Sequence, residues 1–197
     1  MPSIVSISGT SRPDNYTSFA QAIVNDELRQ KGIEPLVLDA RNLTLPFPGH
    51  PDTADSEHLR ATVRDATAVI LATPEYHGSF CAMTKLIIEN LGFPSVLAGK
   101  PMALVGVAAG RIGAIKSLEQ LKGICSHVGA IVVPGAVSIA GVRGAFAEDG
   151  RCTDPGTEQA LRSVAGSLLE FIKDFVCPKY ALEDMVRGEA RTWTANV

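Results

Sequence analysis

The sequence predicts an α/β fold in which a five-stranded parallel sheet lies between two layers of helices. Short apolar runs alternate with stretches of helical periodicity, which is typical of parallel sheets with crossover helices. The run 67–73 (TAVILAT) is apolar with hardly an interruption, as expected for a strand buried on both faces. At 197 residues, the chain is long enough for one domain with a sizeable core.

Each predicted strand is a short apolar run bounded by glycine, proline or charged residues. The first (SIVSIS) ends at Gly9, and the fourth (PMALVGVA) begins directly after Lys100. In chain order, the predicted strands are 3–8, 34–39, 67–73, 101–108 and 130–134.

Helical spacing of apolar residues, at intervals of three and four, predicts helices with one face against the sheet. The second predicted helix differs, because it is short and polar. The predicted helices are 19–28, 56–65, 81–91, 112–126 and 157–176. The apolar stripe of the fourth is Ile115, Leu118, Leu121, Ile124 and Cys125, and that of the last is Leu161, Val164, Leu168, Ile172 and Phe175. The segments 43–52, 74–79 and 135–155 are rich in proline or glycine, or lie between a strand and a helix, and are expected to be loops.

Composition and charge exclude several classes of function. Apolar residues make up 46% and charged residues 20% of the chain, a globular rather than a disordered balance. With a net charge of -3, we expect neither nucleic acid nor an anionic membrane as a partner. No apolar run reaches the ~18 residues of a membrane span, and the N-terminus lacks the features of a signal peptide. A cytoplasmic location is therefore expected.

We expect a single domain over 1–197, with a core over about 3–176 and a weakly patterned tail, 178–197, available to pack on a partner subunit. The four cysteines are scattered without a C-x-x-C motif, so neither a metal nor an iron–sulfur site is predicted. We expect these thiols to be reduced and mostly structural.

The loop after the first strand is a candidate phosphate site. Ligands of doubly wound sheets bind outside the carboxyl ends of the strands, where the loops after strands one, three and four share one rim. Residues 9–18 (GTSRPDNYTS) supply hydroxyls, an amide and one cation between a strand and a helix N-terminus. The loop matches neither a P-loop nor G-x-G-x-x-G, which favours one terminal phosphate over a pyrophosphate. The alternative is an ordinary polar loop with capping residues. The candidate ligands are Thr10, Ser11, Arg12, Asn15, Tyr16, Thr17 and Ser18.

The loop after the third strand is a candidate site for a flat heteroaromatic ring. Pro74 stiffens it, and Gly78 lets its backbone approach a ligand closely. The alternative for Tyr76 and His77 is packing on a neighbouring chain. The candidate residues are Pro74, Glu75, Tyr76, His77 and Gly78.

In the loop after the fourth strand, Ala109 and Gly110 leave room over a cofactor face. Arg111 either meets a pyridine-nucleotide phosphate or reaches solvent. The spacing of Gly106, Gly110 and Gly113 is by itself a weak signal.

These residues resemble the NADPH-dependent FMN reductase family, which includes flavin, quinone, chromate and azo-dye reductases. The first signature of the family is similar to Gly-Ser-x-Arg-x-x-Ser-x-Asn. Gly9 and Arg12 match it, and Thr10, Asn15 and Thr17 replace its other residues by hydrogen-bonding ones. The second signature, Pro-Glu-Tyr-Asn, is matched from Pro74 to Tyr76, with His77 in place of Asn. The resemblance covers roughly residues 3–175.

The resemblance implies a flavodoxin-like three-layer sandwich with strand order 2-1-3-4-5. It also implies FMN as the cofactor, and hydride transfer from NADPH (or NADH) to the flavin and onward to a flavin, quinone or similar small acceptor. Because the cofactor carries this chemistry, no catalytic acid, base or nucleophile is expected from the protein.

The resemblance further implies a homodimer or homotetramer. The helix carrying Leu86 and Ile87 is the expected apolar contact surface. We expect the acceptor pocket to be shaped by 45–51, by 141–146 and by a second subunit. The alternative function is a non-enzymatic electron carrier or FMN-binding module, which the mild net charge disfavours.

Overall fold

Six parallel strands and one short antiparallel strand form the sheet of the structure, a computed structural model that describes residues 2–187 apart from the side chains of Asp184 and Arg187. The strand order is β2-β1-β3-β5-β6. Because the short strand β4 was not predicted, β5 and β6 are the fourth and fifth predicted strands, and the predicted order 2-1-3-4-5 is confirmed. The strands are β1 (Ile4–Ser8), β2 (Leu36–Asp39), β3 (Ala68–Tyr76), β4 (Ser79–Phe80), β5 (Pro101–Val107), β6 (Ile131–Val132) and β7 (Val137–Ile139).

Helices cover both faces of the sheet. They are α1 (Tyr16–Gln30), α2 (Ala54–Asp65), α3 (Ala82–Glu89), α4 (Ile115–His127), α5 (Pro155–Phe171) and α6 (Cys177–Arg187). Short 3-10 turns occur at Ala40–Asn42 and Val142–Gly144, and a π turn, Ile172–Val176, joins α5 to α6. No helix within 2–187 is long and apolar enough to cross a bilayer.

Side chains of the central strands alternate between two apolar layers. Ile70 packs in the layer that contains α1 and α5, and its neighbour Leu71 packs in the layer that contains α2, α3 and α4. Both are buried, with exposures of 0% and 1%. This alternation confirms that the third predicted strand is buried on both faces, as its unbroken apolar run indicated.

The structure corrects the predicted loop 74–79. β3 continues to Tyr76, and the chain then turns back to pair antiparallel through Glu75↔Phe80 and Tyr76↔Ser79. His77 and Gly78 form the two-residue turn, with φ values of 52° and 75°. Two consecutive left-handed residues are the requirement of a type I′ turn, which matches the twist of the strands it joins. We call this segment, 75–80, the rim hairpin.

The predicted fifth strand, 130–134, is shorter than expected and is followed by another. β6 pairs with the start of β5, and β7 pairs with its end. Pro134 lies between them and has no backbone N–H, so it cannot donate to the ladder.

The C-terminal prediction also changes. Residues 178–187, predicted as unpatterned tail, continue as helix α6, and 188–197 lie outside the described residues. Phe175 is 64% exposed although it was expected in the apolar stripe, and Val176 is buried in its place. The prediction of a single domain over 1–197 stays a prediction.

A glycine brings α4 close to β5. A Cβ atom on Gly106 would lie 2.7 Å from Ala114 Cβ and 2.8 Å from Leu118 Cγ. Of the three glycines whose spacing was noted in the sequence, the first, Gly106, is therefore required by packing. This close approach places α4 beside the rim, where two of its residues hydrogen-bond to the rim hairpin.

Candidate functional site

The three predicted rim loops meet in one cleft of about 300 Å³. The first loop contributes Arg12, Asp14, Asn15, Tyr16 and Thr17, and the rim hairpin and its approach contribute Pro74, Glu75 and Tyr76. The remaining lining residues are Val107, Ala109, Val142 and Arg143. They meet because the parallel strands β1, β3 and β5 end at the same edge of the sheet.

Asn15 shapes the first loop. Its Oδ1 accepts a hydrogen bond from the Ser18 backbone N–H at 2.7 Å, which caps α1, and its Nδ2 donates to the Arg12 carbonyl at 2.8 Å. The amide expected to hold a ligand is thus engaged at both ends by the loop itself. The cap fixes the first turn of α1, whose residues Tyr16 and Thr17 line the cleft at the positive end of the helix.

The other hydroxyl groups of the loop differ in their surroundings. Thr17 lines the cleft and is 2% exposed. Thr10 is buried, and its Oγ1 accepts from the Arg12 backbone N–H at 3.3 Å. Ser18 Oγ lies 3.3 Å from Ser8 Oγ, so this hydroxyl is turned toward β1 and does not line the cleft.

The guanidinium of Arg12 has no carboxylate partner within the part of the chain that the structure describes. An exposed unpaired cation, the Thr17 hydroxyl and a helix N-terminus together form a donor set suited to a terminal phosphate. The residues present therefore fit the phosphate end of FMN.

Glu75 has a structural partner in the rim hairpin. Its Oε2 accepts a hydrogen bond from the Ser117 backbone N–H, in the first turn of α4, at 3.1 Å. At the tip, His77 and Gly78 do not line the cleft, whereas Tyr76 does and is 38% exposed. Pro74, Glu75 and Tyr76 thus reach the cleft, and the other two predicted residues do not.

The third loop contributes less than the sequence indicated. Ala109 lines the cleft, but Gly110 and Arg111 do not. The Gly110 carbonyl accepts hydrogen bonds from Gly113 at 3.2 Å and Gly141 at 3.0 Å, which ties the loop to the segment after β7.

Sequence reasoning missed four lining residues, Asp14, Val107, Val142 and Arg143, as cofactor contacts. The segment 141–146 had been assigned to the acceptor pocket, and its residues Val142 and Arg143 do line the cleft. The other segment assigned to that pocket, 45–51, instead borders a separate cavity of about 150 Å³ beside Arg60 and Glu89.

A second cleft of about 300 Å³ lies on the other side of Arg12 and Tyr76, which line both. Its remaining lining is Thr10, Ser11, Cys81, Ala82 and Met83. Cys81 is 6% exposed, and its thiol donates to the Gly9 carbonyl at 2.8 Å. This thiol therefore supports the start of the first loop.

All four cysteines are free thiols in the structure. Burial raises the pKa of the Cys125 thiol to about 12, so this side chain remains protonated and unreactive at neutral pH. No cluster of metal-binding side chains occurs among residues 2–187.

Comparison with known proteins places this geometry in a family. The family model described as NADPH-dependent FMN reductase matches residues 2–143. An NADPH azoreductase of Bacillus sp. is 30% identical over 158 residues, which cover 75% of this chain and 84% of the relative. A 2-hydroxy-1,4-benzoquinone reductase of Burkholderia sp. is 30% identical over 78 residues, which cover 38% and 43%.

Among solved structures, the flavoenzyme FerB, an NAD(P)H:(acceptor) oxidoreductase from Paracoccus denitrificans, superimposes with a TM-score of 0.72 at 23% identity. The match covers 88% of this chain and 98% of FerB, and it supports the flavodoxin-like fold. With the family match over 2–143, which contains the first loop and the rim hairpin, this chain belongs to the NADPH-dependent FMN reductase family.

Proposed function

We propose that the cleft shared by the first loop and the rim hairpin binds FMN, with the phosphate at the first loop and the ring against the hairpin. Flavin-dependent oxidoreduction, with FMN as cofactor and NADPH as co-substrate, follows from membership of the family. The observation that carries the placement is that one cleft joins an unpaired Arg12 and the capped start of α1 to Tyr76 on the hairpin.

At the phosphate end, the chain supplies charge and donors. Arg12 and the Thr17 hydroxyl bind phosphate oxygens, together with the backbone N–H groups at the start of α1. Thr10 and Ser11 belong to the same loop but line the second cleft. Asn15 keeps the loop in this conformation through its two hydrogen bonds. Tyr16 packs edge-on against Phe19, with ring centroids 5.9 Å apart, and closes one side of the cleft.

At the ring end, Tyr76, Pro74 and Ala109 provide a mostly apolar wall that excludes water. FMN supplies the two-electron chemistry when bound. Backbone N–H groups of the rim hairpin would stabilise negative charge on a bound reduced ring, and Arg143 lines the same cleft. His77, Gly78, Gly110 and Arg111 act at the margin, where a pyridine nucleotide would approach.

We also propose a homodimer or homotetramer, a small aromatic acceptor and a cytoplasmic location. The acceptor class is supported by relatives named as an azoreductase and a benzoquinone reductase. Oligomerisation is supported by apolar side chains left exposed in the protomer: Phe93 at 99%, Ile112 at 74% and Phe47 at 70%. The contact surface expected on the helix of Leu86 and Ile87 stays a prediction, and Ile87 itself is fully buried in the core of the protomer.

The test is anaerobic stopped-flow reduction of the purified protein loaded with FMN. We expect the flavin absorbance to bleach on mixing with NADPH, and reoxidation on adding a benzoquinone or an azo dye. Bleaching by neither NADPH nor NADH would contradict the reductase and favour an electron carrier. A protein that does not bind added FMN would contradict the proposed site.

A further inference from the structure

The rim hairpin has little support of its own. β4 has two residues, and the antiparallel pairing consists of Glu75↔Phe80 and Tyr76↔Ser79. Isolated two-stranded hairpins are marginally stable. His77 also holds a left-handed backbone, with φ 52°, which a residue with a Cβ atom adopts at a cost. The position of the hairpin must therefore be maintained by contacts from elsewhere in the chain.

One side chain of α4 holds the far side of the hairpin. Gln120 Nε2 donates to the Gly78 carbonyl at 3.0 Å, and Gln120 Oε1 accepts from Ser79 Oγ at 2.7 Å. The donor and the acceptor of one planar amide therefore each bind one of two adjacent residues of the hairpin. Because the donor and acceptor of an amide cannot exchange places without rotating the group, this pair of bonds specifies one orientation of the turn.

A second contact holds the near side. Ser117, one turn before Gln120 on the same face of α4, donates its backbone N–H to Glu75 Oε2 at 3.1 Å. The start of α4 is in turn tied to the neighbouring rim, where the Ala114 N–H donates to Ser138 Oγ at 2.8 Å. α4 thus connects the hairpin to β7.

We infer that Gln120 is a positioning residue for the flavin site, which it does not line, and that it presets the rim hairpin to receive the ring. The inference rests on the proposed placement of the ring against Tyr76. A hairpin already held in its binding conformation loses less entropy when a ligand binds. If the hairpin is released, the apparent affinity falls by the fraction of molecules that remain in the competent conformation.

The first experiment tests, without flavin, whether the two hydrogen bonds of Gln120 hold the hairpin; we call this pair of bonds the brace. Hydrogen exchange of peptides covering 74–80 is compared in the FMN-free wild type, Gln120→Ala and Glu119→Ala. Glu119 is the adjacent exposed residue of α4 and makes no hydrogen bond to the hairpin in the described structure, so it is the matched control. We expect exchange about 5- to 10-fold faster in Gln120→Ala alone. Equal exchange in the two variants would overturn the brace.

The second experiment measures its effect on binding. FMN titrations, followed by quenching of flavin fluorescence, are made with Gln120→Ala, Ser79→Ala and the double variant. We expect Kd to rise about 5- to 10-fold in Gln120→Ala, and the double variant to be little worse, because the two residues act through one contact. A shift in the flavin reduction potential of the holoprotein should accompany the loss.

These results separate the inference from the proposed function. If Gln120→Ala loosens the hairpin but raises Kd no more than Glu119→Ala does, Gln120 is only structural and the inference is wrong. If the wild type does not bind FMN at all, the proposed function fails, and the inference about the flavin fails with it. The exchange result reports on the brace in either case.

Discussion

Arg12 lies between two clefts and presents a guanidinium that no described carboxylate neutralises. We expect Arg12→Ala to raise the Kd for FMN about tenfold or more, since a charge-assisted hydrogen bond to phosphate is lost. The measurement is fluorescence titration at two salt concentrations, and the difference between wild type and variant should shrink at high salt. Arg111→Ala is the control, because Arg111 is exposed and does not line the cleft. An unchanged Kd in Arg12→Ala would remove this residue from the phosphate site.

Asn15 and Glu75 illustrate what residue type alone does not reveal. Both were predicted to bind cofactor, and both carry polar atoms of the right chemistry. In the structure the Asn15 amide caps α1, and one Glu75 oxygen binds the first turn of α4. Their contribution to a ligand is then chiefly the position of the backbone around it. A side-chain oxygen can bind a ligand or hold the protein's own backbone. The choice depends on neighbouring residues in the fold, which the local sequence does not specify.

At the scale of elements, the packing of α4 on β5 depends on Gly106. We expect Gly106→Ala to destabilise the protein by about 1–3 kcal/mol, because its Cβ would overlap Ala114 and Leu118 unless α4 shifts. Because α4 also carries Gln120, affinity for FMN should fall as well. The measurement is urea denaturation together with FMN titration.

The control for this prediction lies in α4 itself. Gly123 has open space around its Cβ position, so Gly123→Ala should stabilise the helix by about 0.5–1 kcal/mol. A Gly106→Ala variant as stable as the wild type would contradict the close contact.

We expect the contact between α1 and α5 to weaken at acid pH. Arg162 of α5 pairs with Asp26 at 2.8 Å and Glu27 at 3.2 Å, both on α1, and with Glu158 at 2.9 Å. The hydrogen bond from Arg162 holds the pKa of Asp26 below its usual value of 3.8. A depressed carboxyl pKa stabilises the fold above the unfolded-state value, and this stabilisation is lost as the pH falls through the folded-state value.

We therefore expect Arg162→Met to lower the urea midpoint at pH 7 and to have a smaller effect below about pH 4. Arg151→Met is a control, because Arg151 is exposed and the one ion pair that its guanidinium makes among the described residues is a 3.9 Å contact with Asp149. A difference between wild type and Arg162→Met that is the same at pH 7 and pH 3 would show that the charge cluster does not contribute.

At the scale of the whole molecule, the proposed interface between copies rests on exposed apolar side chains. We expect light scattering to give a multiple of the 20.8 kDa chain mass for the wild type. Phe93→Asp or Ile115→Asp should shift the mass toward the monomer, since a charge would be buried at the contact. Ser163→Asp, an exposed polar site on α5, serves as the control. A monomeric wild type at micromolar concentration would overturn the proposal.

Much of the fold could be predicted because its signals are local. The buried strand 67–73 is a continuous apolar run, and the helices show apolar residues at intervals of three and four. By contrast, the pairing of Ser79–Phe80 with the end of β3 could not be distinguished from a loop, because two residues are too few for a periodic pattern. The break between β6 and β7 was missed because Val137–Ile139 lies in a glycine-rich segment.

The sequence by itself determined the succession of strands and helices and the edge at which the loops meet, because these follow from apolar patterning. Two short signatures indicated the family, and the resemblance to that family implied the order of the sheet. Only the tertiary structure decided how the site is held. The bonds from Glu75, Gly78 and Ser79 to α4 join residues 41 or 42 positions apart. Such partners are chosen by the packing of α4 on the sheet, which depends on side-chain volume and close approach at Gly106 rather than on any local pattern.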